Sequence, residues 1–568
     1  MPAKPFFKKK SVRILLTIII LMGLFIGYMA IVAIDRPPYI KDMSSLNLQR
    51  IDHGNATYSY GQSWLRKSES GLWEAYIEGN AFERGVAFGQ LTKELLYYQE
   101  SSFFGQIREL VPSDGYLRVL KYFIAFFNRN LDKNIPDAYK EEIYGTSFAC
   151  DSTYNFIGSG YQRQLNYHAA HDIGHALQGL NLVACTSFSV WEDKSRDSSL
   201  IVGRNFDFYM GDKFAENKIV CFVNPDHGHK FMMITWADMI GVVSGMNEKG
   251  LTVTLNAAKS GIPFQAAMPV TLLAREILQY ASNIDEAYSI AQMRDIFVSE
   301  SIMIGSSMDH QTAIIEKSPD ETALYDPEGN SIICSNHYQS DEYANDRKNI
   351  NNIRNSDSYN RYRRVQELLN RKENLDETDV AAILRDQSSL GDANAGMGNE
   401  LAINQLIAHH SVIFKPDSLL VWISTAPWQL GKYVAYDLNR VFNDASNYPV
   451  TEICMKEKTI PADPFLFTDN YNRFVKFREM SKELRLMKNT NHSLPEKFVD
   501  NYIETNPQFF LTYSNLGDYY NEMKDFNQAY AFYKKAMDCR LPGLEDKQNL
   551  EELTEKLSKK INNGSSRY

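Results

Sequence analysis

Cysteine is scarce in this chain: six in 568 residues, at 150, 185, 221, 334, 454 and 539. None forms a CxxC pair, which excludes a zinc site of the usual spacing. Such wide scatter also excludes a disulfide framework, although a sparse disulfide stays open. An excess of basic charge is missing too. Formal net charge is -10, with acidic and basic residues mixed along the chain, so nucleic acid is not expected as a partner. Long apolar runs are few; one stands out, Ile14 to Ile34. No glutamate completes a zinc-protease motif in Tyr167-His168-Ala169-Ala170-His171-Asp172-Ile173-Gly174-His175, because Asp172 and Ile173 follow His171. His171 and His175 share a helix face, as a metal pair could, but packing or hydrogen-bonded histidines explain them as well. The expectation is no metal and no cofactor.

What is present suffices for a large core. Hydrophobic residues make up 44% and aromatics 12%, and the length suggests two to four domains. Lys4, Lys8, Lys9, Lys10 and Arg13 precede the apolar run 14–34, which is long enough to span a bilayer. The positive flank predicts a cytoplasmic N-terminus, 1–13, and an exported body. Residues 14–34 read as a transmembrane signal anchor, or as a signal peptide cut near Ala30 or Ala33. The expected location is extracytoplasmic: membrane-anchored (bacterial periplasm), or secreted if the segment is removed.

Residues 35–72 are polar and irregular and read as a linker. From 73 to 184 the pattern is mostly helical, with Gly85 and Gly89 four apart, a spacing that suits close helix packing. Past Cys185 the texture changes to short apolar strands, broken by helices near 270–294 and 359–386. Strand, helix, strand, helix, strand in one stretch, 185–440, points to sheets layered with helices, an α+β class. A polar connector follows, 441–494. In 495–562, Tyr513, Leu516, Gly517, Tyr520, Ala529, Tyr533, Ala536 and Pro542 fit one tetratricopeptide-like repeat, with the proline one place late. Such a repeat could bind a protein partner or pack on the catalytic body.

The chemistry centres on Val183-Ala184-Cys185-Thr186-Ser187-Phe188 and on Gly203-Arg204-Asn205-Phe206-Asp207. Two strands joined by a hairpin can bring Cys185, Arg204 and Asp207 to one end of a sheet. A guanidinium beside a thiol favours the thiolate. Cys185 as a buried small hydrophobe explains the same residues equally well. Polar residues then recur at strand ends: Asn247-Glu248-Lys249-Gly250-Leu251 through Leu255-Asn256, Ser335-Asn336, Ser358 with Arg361-Tyr362, and Ser411-Val412-Ile413-Phe414 with Pro416.

Taken in order, these residues resemble the cysteine branch of the N-terminal nucleophile (Ntn) hydrolases. They look most like the penicillin acyltransferase-like family (acyl-coenzyme A:6-aminopenicillanic acid acyltransferase). Bile salt hydrolase, acid ceramidase and N-acylethanolamine amidase are more distant likenesses. The resemblance covers roughly 75–440 and implies an αββα sandwich with a helical pro-segment, 73–184, ahead of the catalytic domain. It implies cleavage between Ala184 and Cys185, which gives Cys185 a free α-amine as its own base. Asp207 would orient that amine and Arg204 would sit against the thiol. Asn256 and Asn336 would donate to the oxyanion and the amine, and Arg361 would hold the network. Ala184 departs from the glycine, acid or asparagine of many relatives. The implied activity is hydrolysis of a linear amide in a small N-acyl substrate. Acyl transfer on the same site is one alternative, and a non-catalytic, membrane-tethered interaction protein is another. Phe206, Phe208, Tyr209, Trp236, Phe264 and Trp428 are candidate pocket walls.

Overall fold

The structure is a computed structural model. It describes residues 8–32, 35–110, 128–129, 131–176, 184–259, 267–444, 451–490 and 494–565. Two sheets form its centre. The larger has eleven strands, adjacent in chain order: Ile51–Gly54, Thr57–Tyr60, Ser63–Lys67, Trp73–Gly79, Ile219–Pro225, Phe231–Thr235, Ser244–Asn247, Leu251–Ala257, Glu300–Ser306, Gln311–Lys317 and Thr322–Tyr325. The smaller has seven, in the order Ser331–Cys334, Thr186–Glu192, Ser198–Phe206, His410–Lys415, Leu420–Ser424, Tyr433–Asp437 and Met455–Ile460.

Alternation along the strands builds the layers, because successive side chains point to opposite faces. Val220 and Phe222 face inward, into a core shared with Val202, Val412, Val421 and Ile423 of the smaller sheet. Ile219, Cys221 and Val223 face outward, into a core with the helices Ala81–Leu110, Asp137–Ser147, Val270–Tyr280 and Ile284–Met293. On the far side, Phe188, Val190 and Ile201 pack on Val365 and Leu369 of helix Ser358–Arg371 and on Val380 and Leu384 of helix Glu377–Leu384. The order of layers is therefore helix, sheet, sheet, helix: the αββα sandwich.

The stretch 35–72 is not a linker. Three of the eleven strands lie in it, and a fourth, Trp73–Gly79, follows in the stretch read as helical. Asn55 and Ala56 both take positive φ (51° and 52°), so a two-residue turn with the twist of a hairpin joins the first two strands. The first strand is exposed along its whole length; an edge strand with no buried face carries no alternation to read. Trp73–Gly79 pairs in parallel with Ile219–Pro225, residue for residue. Its Glu74 reaches between the sheets, where Arg66 Nε donates to it at 2.6 Å and Tyr436 Oη at 2.8 Å.

Helix Ala81–Leu110 packs on helix Asp137–Ser147 through glycine. A Cβ on Gly85 would stand 1.9 Å from the Glu142 carbonyl oxygen, and one on Gly89 2.8 Å from that of Thr146, so the two spaced glycines allow the backbones to touch. Residues 111–127 lie outside the described residues.

The expected membrane span is overturned. A helix forms over Lys8–Val32, but no helix among the described residues is long and apolar enough to cross a membrane. It opens on three lysines and keeps Arg13 in its second turn. The transmembrane or signal-anchor reading of 14–34 falls with it. So do the membrane-anchored location and the membrane as partner.

The C-terminal helices Asp469–Thr490, Glu496–Thr505, Phe510–Glu522 and Phe526–Met537 pack on the sandwich. Phe474, Phe477, Tyr502 and Phe509 share a core with Leu406 and Leu430 of the body. Within the helix pair 510–537, a Cβ on Gly517 would stand 2.6 Å from the Tyr533 ring. The connector 441–494 holds a strand, Met455–Ile460, which closes the smaller sheet, and the whole of a 22-residue helix.

Candidate functional site

Cys185 stands just ahead of strand Thr186–Glu192, between the two sheets, and is fully buried. Strand Ser198–Phe206 pairs with it antiparallel, Thr186 opposite Asn205 and Ser187 opposite Arg204. Arg204 shares the inward parity of Leu200 and Val202, so its side chain crosses to the larger sheet. There Nη1 donates to the Val243 carbonyl at 2.6 Å and to Ser244 Oγ, and Nη2 donates to the Leu255 carbonyl. Nη2 also lies 3.6 Å from Cys185 Sγ. The Phe206 ring stacks beneath the guanidinium, 4.5 Å from its carbon. Burial pushes the thiol up to about 11, against the pull of Arg204.

Asp207 follows immediately after this strand. Its carbonyl accepts the Ala184 N–H at 3.0 Å, which sets its backbone beside the Ala184–Cys185 bond. Its carboxylate is fully buried, and neither oxygen has a hydrogen-bond partner among the described residues. Burial raises this carboxyl to about 8, although Arg361 and Arg204 pull it down.

Arg361 enters from helix Ser358–Arg371. Its Nη1 donates to the Cys185 carbonyl at 2.6 Å, to Thr186 Oγ1 at 2.9 Å and to Ser335 Oγ at 3.1 Å. Its Nη2 donates to Asn336 Oδ1 at 2.8 Å and to Asp357 Oδ2 at 2.9 Å. Asn336 Nδ2 in turn donates to the Ala257 carbonyl at 2.8 Å. Asn256, next to Ala257 on the larger sheet, donates through Nδ2 to the Cys334 carbonyl at 2.9 Å and accepts from Ser187 Oγ at 2.8 Å. Cys185, Arg204, Asp207, Asn256, Asn336 and Arg361 thus converge on one end of the sandwich from four strands or strand ends and a helix. Asn247 is apart from them: its amide donates to the Leu278 and Ala281 carbonyls and so ties a turn to a helix.

Of the candidate walls, Phe206 and Phe208 stack at 5.8 Å, and Trp236 packs 5.1 Å from Phe214. Tyr209 and Trp428 meet further out, around Arg478, whose guanidinium carbon lies 5.8 and 5.2 Å from their rings. Phe264 and the side chains of His171 and His175 lie outside the described residues.

The structure adds residues that pattern reading passed over. Ser244 Oγ lies 2.8 Å from His410 Nε2, and His410 Nδ1 lies 2.9 Å from His409 Nδ1. Glu300 is buried opposite Ala257, and burial and Asp172 together hold its carboxyl well above the ordinary range. Lys218 is buried beside Ser424. A signal existed for two of these: a charge at the head of the apolar strand 300–306, and a histidine pair before Ser411. Among the described residues no His, Cys, Asp and Glu cluster is able to hold a metal ion.

Part of the chain is similar to known proteins. A sequence model of the family described as acyl-coenzyme A:6-aminopenicillanic acid acyl-transferase matches residues 191–395. That span includes Arg204, Asp207, Asn256, Asn336 and Arg361 and begins past Cys185. An uncharacterized protein of Archaeoglobus fulgidus is 25% identical over 271 residues, 45% of this chain and 45% of its own length. Protein dcd1B of Dictyostelium discoideum is 23% identical over 272 residues, 44% of this chain and 52% of its own. The chain therefore spans about half the length of the curated relatives it matches. Among solved structures, a Caenorhabditis elegans N-acylethanolamine-hydrolyzing acid amidase ortholog aligns at TM-score 0.30 and 17% identity, over 41% of this chain and 93% of that one. A mutant of the conjugated bile acid hydrolase of Clostridium perfringens aligns at TM-score 0.33 and 12% identity, over 48% and 96%. Through residues 191–395, this chain is similar to the family described as acyl-coenzyme A:6-aminopenicillanic acid acyl-transferase.

Proposed function

We propose that this chain is a self-cleaving cysteine amidase that hydrolyses a linear amide of a small N-acyl substrate through an acyl-enzyme on Cys185. The observation that carries the reading is the buried carboxylate of Asp207, which lacks a hydrogen-bond partner in the uncut chain. Cleavage of the Ala184–Cys185 bond creates the partner it lacks, the α-ammonium of Cys185.

In the first step Sγ attacks the Ala184 carbonyl. The bond to the Cys185 nitrogen breaks as a thioester forms, and the thiol proton passes to that nitrogen. Water then hydrolyses the thioester, leaving a carboxylate on Ala184 and a free amine on Cys185. Ala184 is small enough for the tight turn this shift requires. In the second step the amine, with an ordinary value near ~8, takes the thiol proton as the thiolate attacks the substrate carbonyl. Arg204 steadies the thiolate. Asn256 and Asn336 each use one Nδ2 hydrogen in the uncut chain, which leaves the second for the oxyanion or the departing amine. Arg361 holds Asn336 and the Cys185 backbone in register. Water releases the acid. In this reading 73–184 is the pro-segment and 185–440 the catalytic domain, and the helices of 495–562 support the body.

The test is N-terminal sequencing of the expressed chain. A fragment that begins at Cys185, and that is lost in Cys185→Ala, is the expected result. An intact chain with an unreactive Cys185 sinks the proposal. Acyl transfer is the second reading, favoured by the description of the matched family. Added free amine separates the two: acylated amine outrunning free acid identifies a transferase.

A further inference from the structure

The contacts of Arg204 continue into two histidines that the proposed chemistry leaves unused. Arg204 Nη1 donates to Ser244 Oγ, so the hydrogen of that hydroxyl must go to an acceptor. Among the described residues the acceptor in reach is His410 Nε2, at 2.8 Å. His410 then carries its own proton on Nδ1 and donates it to His409 Nδ1, at 2.9 Å. Hydrogen-bond accounting therefore puts the proton of His409 on Nε2. This N–H is buried and has no partner among the described residues. Burial holds both imidazoles well below their ordinary range, so each carries a single proton.

A second buried donor acts electrostatically on the same imidazole. Lys218 is 4% exposed, and among the described residues it has no carboxylate partner; Nζ donates to the Ser424 carbonyl at 3.3 Å. Ser424 Oγ accepts the Ser411 N–H at 3.0 Å, which puts Lys218 at the strand end that carries His409 and His410. The segment that leads into Lys218 also supplies Phe214, whose ring lies 5.7 Å from that of His409. Trp236 lies 5.1 Å and Phe206 6.1 Å from the same imidazole.

Resting on the amidase reading, we propose that Lys218 and His409 form a subsite for a carboxylate of the substrate, linked to Cys185 through His410, Ser244 and Arg204. Two buried donors, neither paired with a carboxylate among the described residues, suit an anion and repel a cation or metal. A carboxylate offers one oxygen to Nζ and one to Nε2–H, and such charge-assisted bonds are the strong ones. The aromatic walls keep water away, so a lone ammonium there is costly until an anion pairs with it. Burial pulls Lys218 down to about 7; a bound carboxylate restores its proton.

The test is equilibrium binding to the full-length Cys185→Ala chain, which needs no cleavage and so stands apart from the amidase reading. N-dodecanoylglycine and its methyl ester are titrated at pH 8 by calorimetry, in two buffers of different ionisation enthalpy. The acid is expected to bind about tenfold or more tightly than the ester, with uptake of close to one proton. Lys218→Met keeps the stem and is expected to abolish both the preference and the uptake. Proton uptake by the chain with Lys218 intact reads the site without relying on that variant's folding. A ratio near one with Lys218 present, no proton uptake, or an unchanged ratio in a folded Lys218→Met chain overturns the subsite. Absence of a Cys185 N-terminus in the native chain overturns the amidase reading alone.

Discussion

Arg361 Nη1 stands 2.6 Å from the carbonyl oxygen of Cys185, a residue 176 positions earlier in the chain. The same guanidinium holds Thr186, Ser335, Asn336 and Asp357. Five partners around one planar group fix where the peptide after the cysteine can lie. A lysine has the charge without the fork. Arg361→Lys is expected to slow the appearance of the Cys185 end by about 10²–10³-fold, with amide turnover falling alongside. A time course of fragment formation on gels measures this. Cleavage at the native rate in Arg361→Lys refutes the positioning role.

Asp207 makes the stability of the uncut chain depend on pH. Its folded value is raised to about 8 by burial, whereas an unfolded aspartate ionises near ~4. Between these values the folded chain keeps a proton that the unfolded chain releases. Stability from this group therefore falls as pH rises from about 4 to about 8. Asp207→Asn removes the effect. In a Cys185→Ala background, melting temperatures at pH 5 and pH 8 are expected to show the asparagine chain gaining on its parent at the higher pH. An identical gap at both pH values contradicts this account.

Arg478 belongs to helix Asp469–Thr490, outside the region matched to the family. Its Nη2 donates to Tyr209 Oη at 3.0 Å and to Asp212 Oδ1 at 2.6 Å, just past Asp207 in the chain. Loss of these bonds and of the stacking on Trp428 costs roughly 1–3 kcal/mol at that segment. Arg478→Ala is expected to raise KM about tenfold and to leave both kcat and the alkylation rate of Cys185 close to native. Steady-state kinetics and iodoacetamide trapping separate the two effects. A fall in thiol reactivity matching the fall in kcat/KM rejects a role confined to this segment.

The sequence by itself determined the layered α+β class, because strands buried on both faces leave apolar runs such as 219–223 and amphipathic helices leave periodic ones. It also named six residues that meet at one end of the sandwich, because their order along the chain resembles that of a known family, although none stands out singly. Tertiary structure decided the rest. The edge strand 51–54 has no buried face, so nothing in its composition marks it. Parallel pairing of 73–79 with 219–225 is non-local, and no local pattern encodes a partner some 146 residues away. Hydropathy counted 14–34 as a span, but that sum did not separate a helix that forms from one long and apolar enough to cross. The buried donors Lys218 and His409 belong to the same class: whether a polar group has a partner depends on what folding brings within ~3 Å of it.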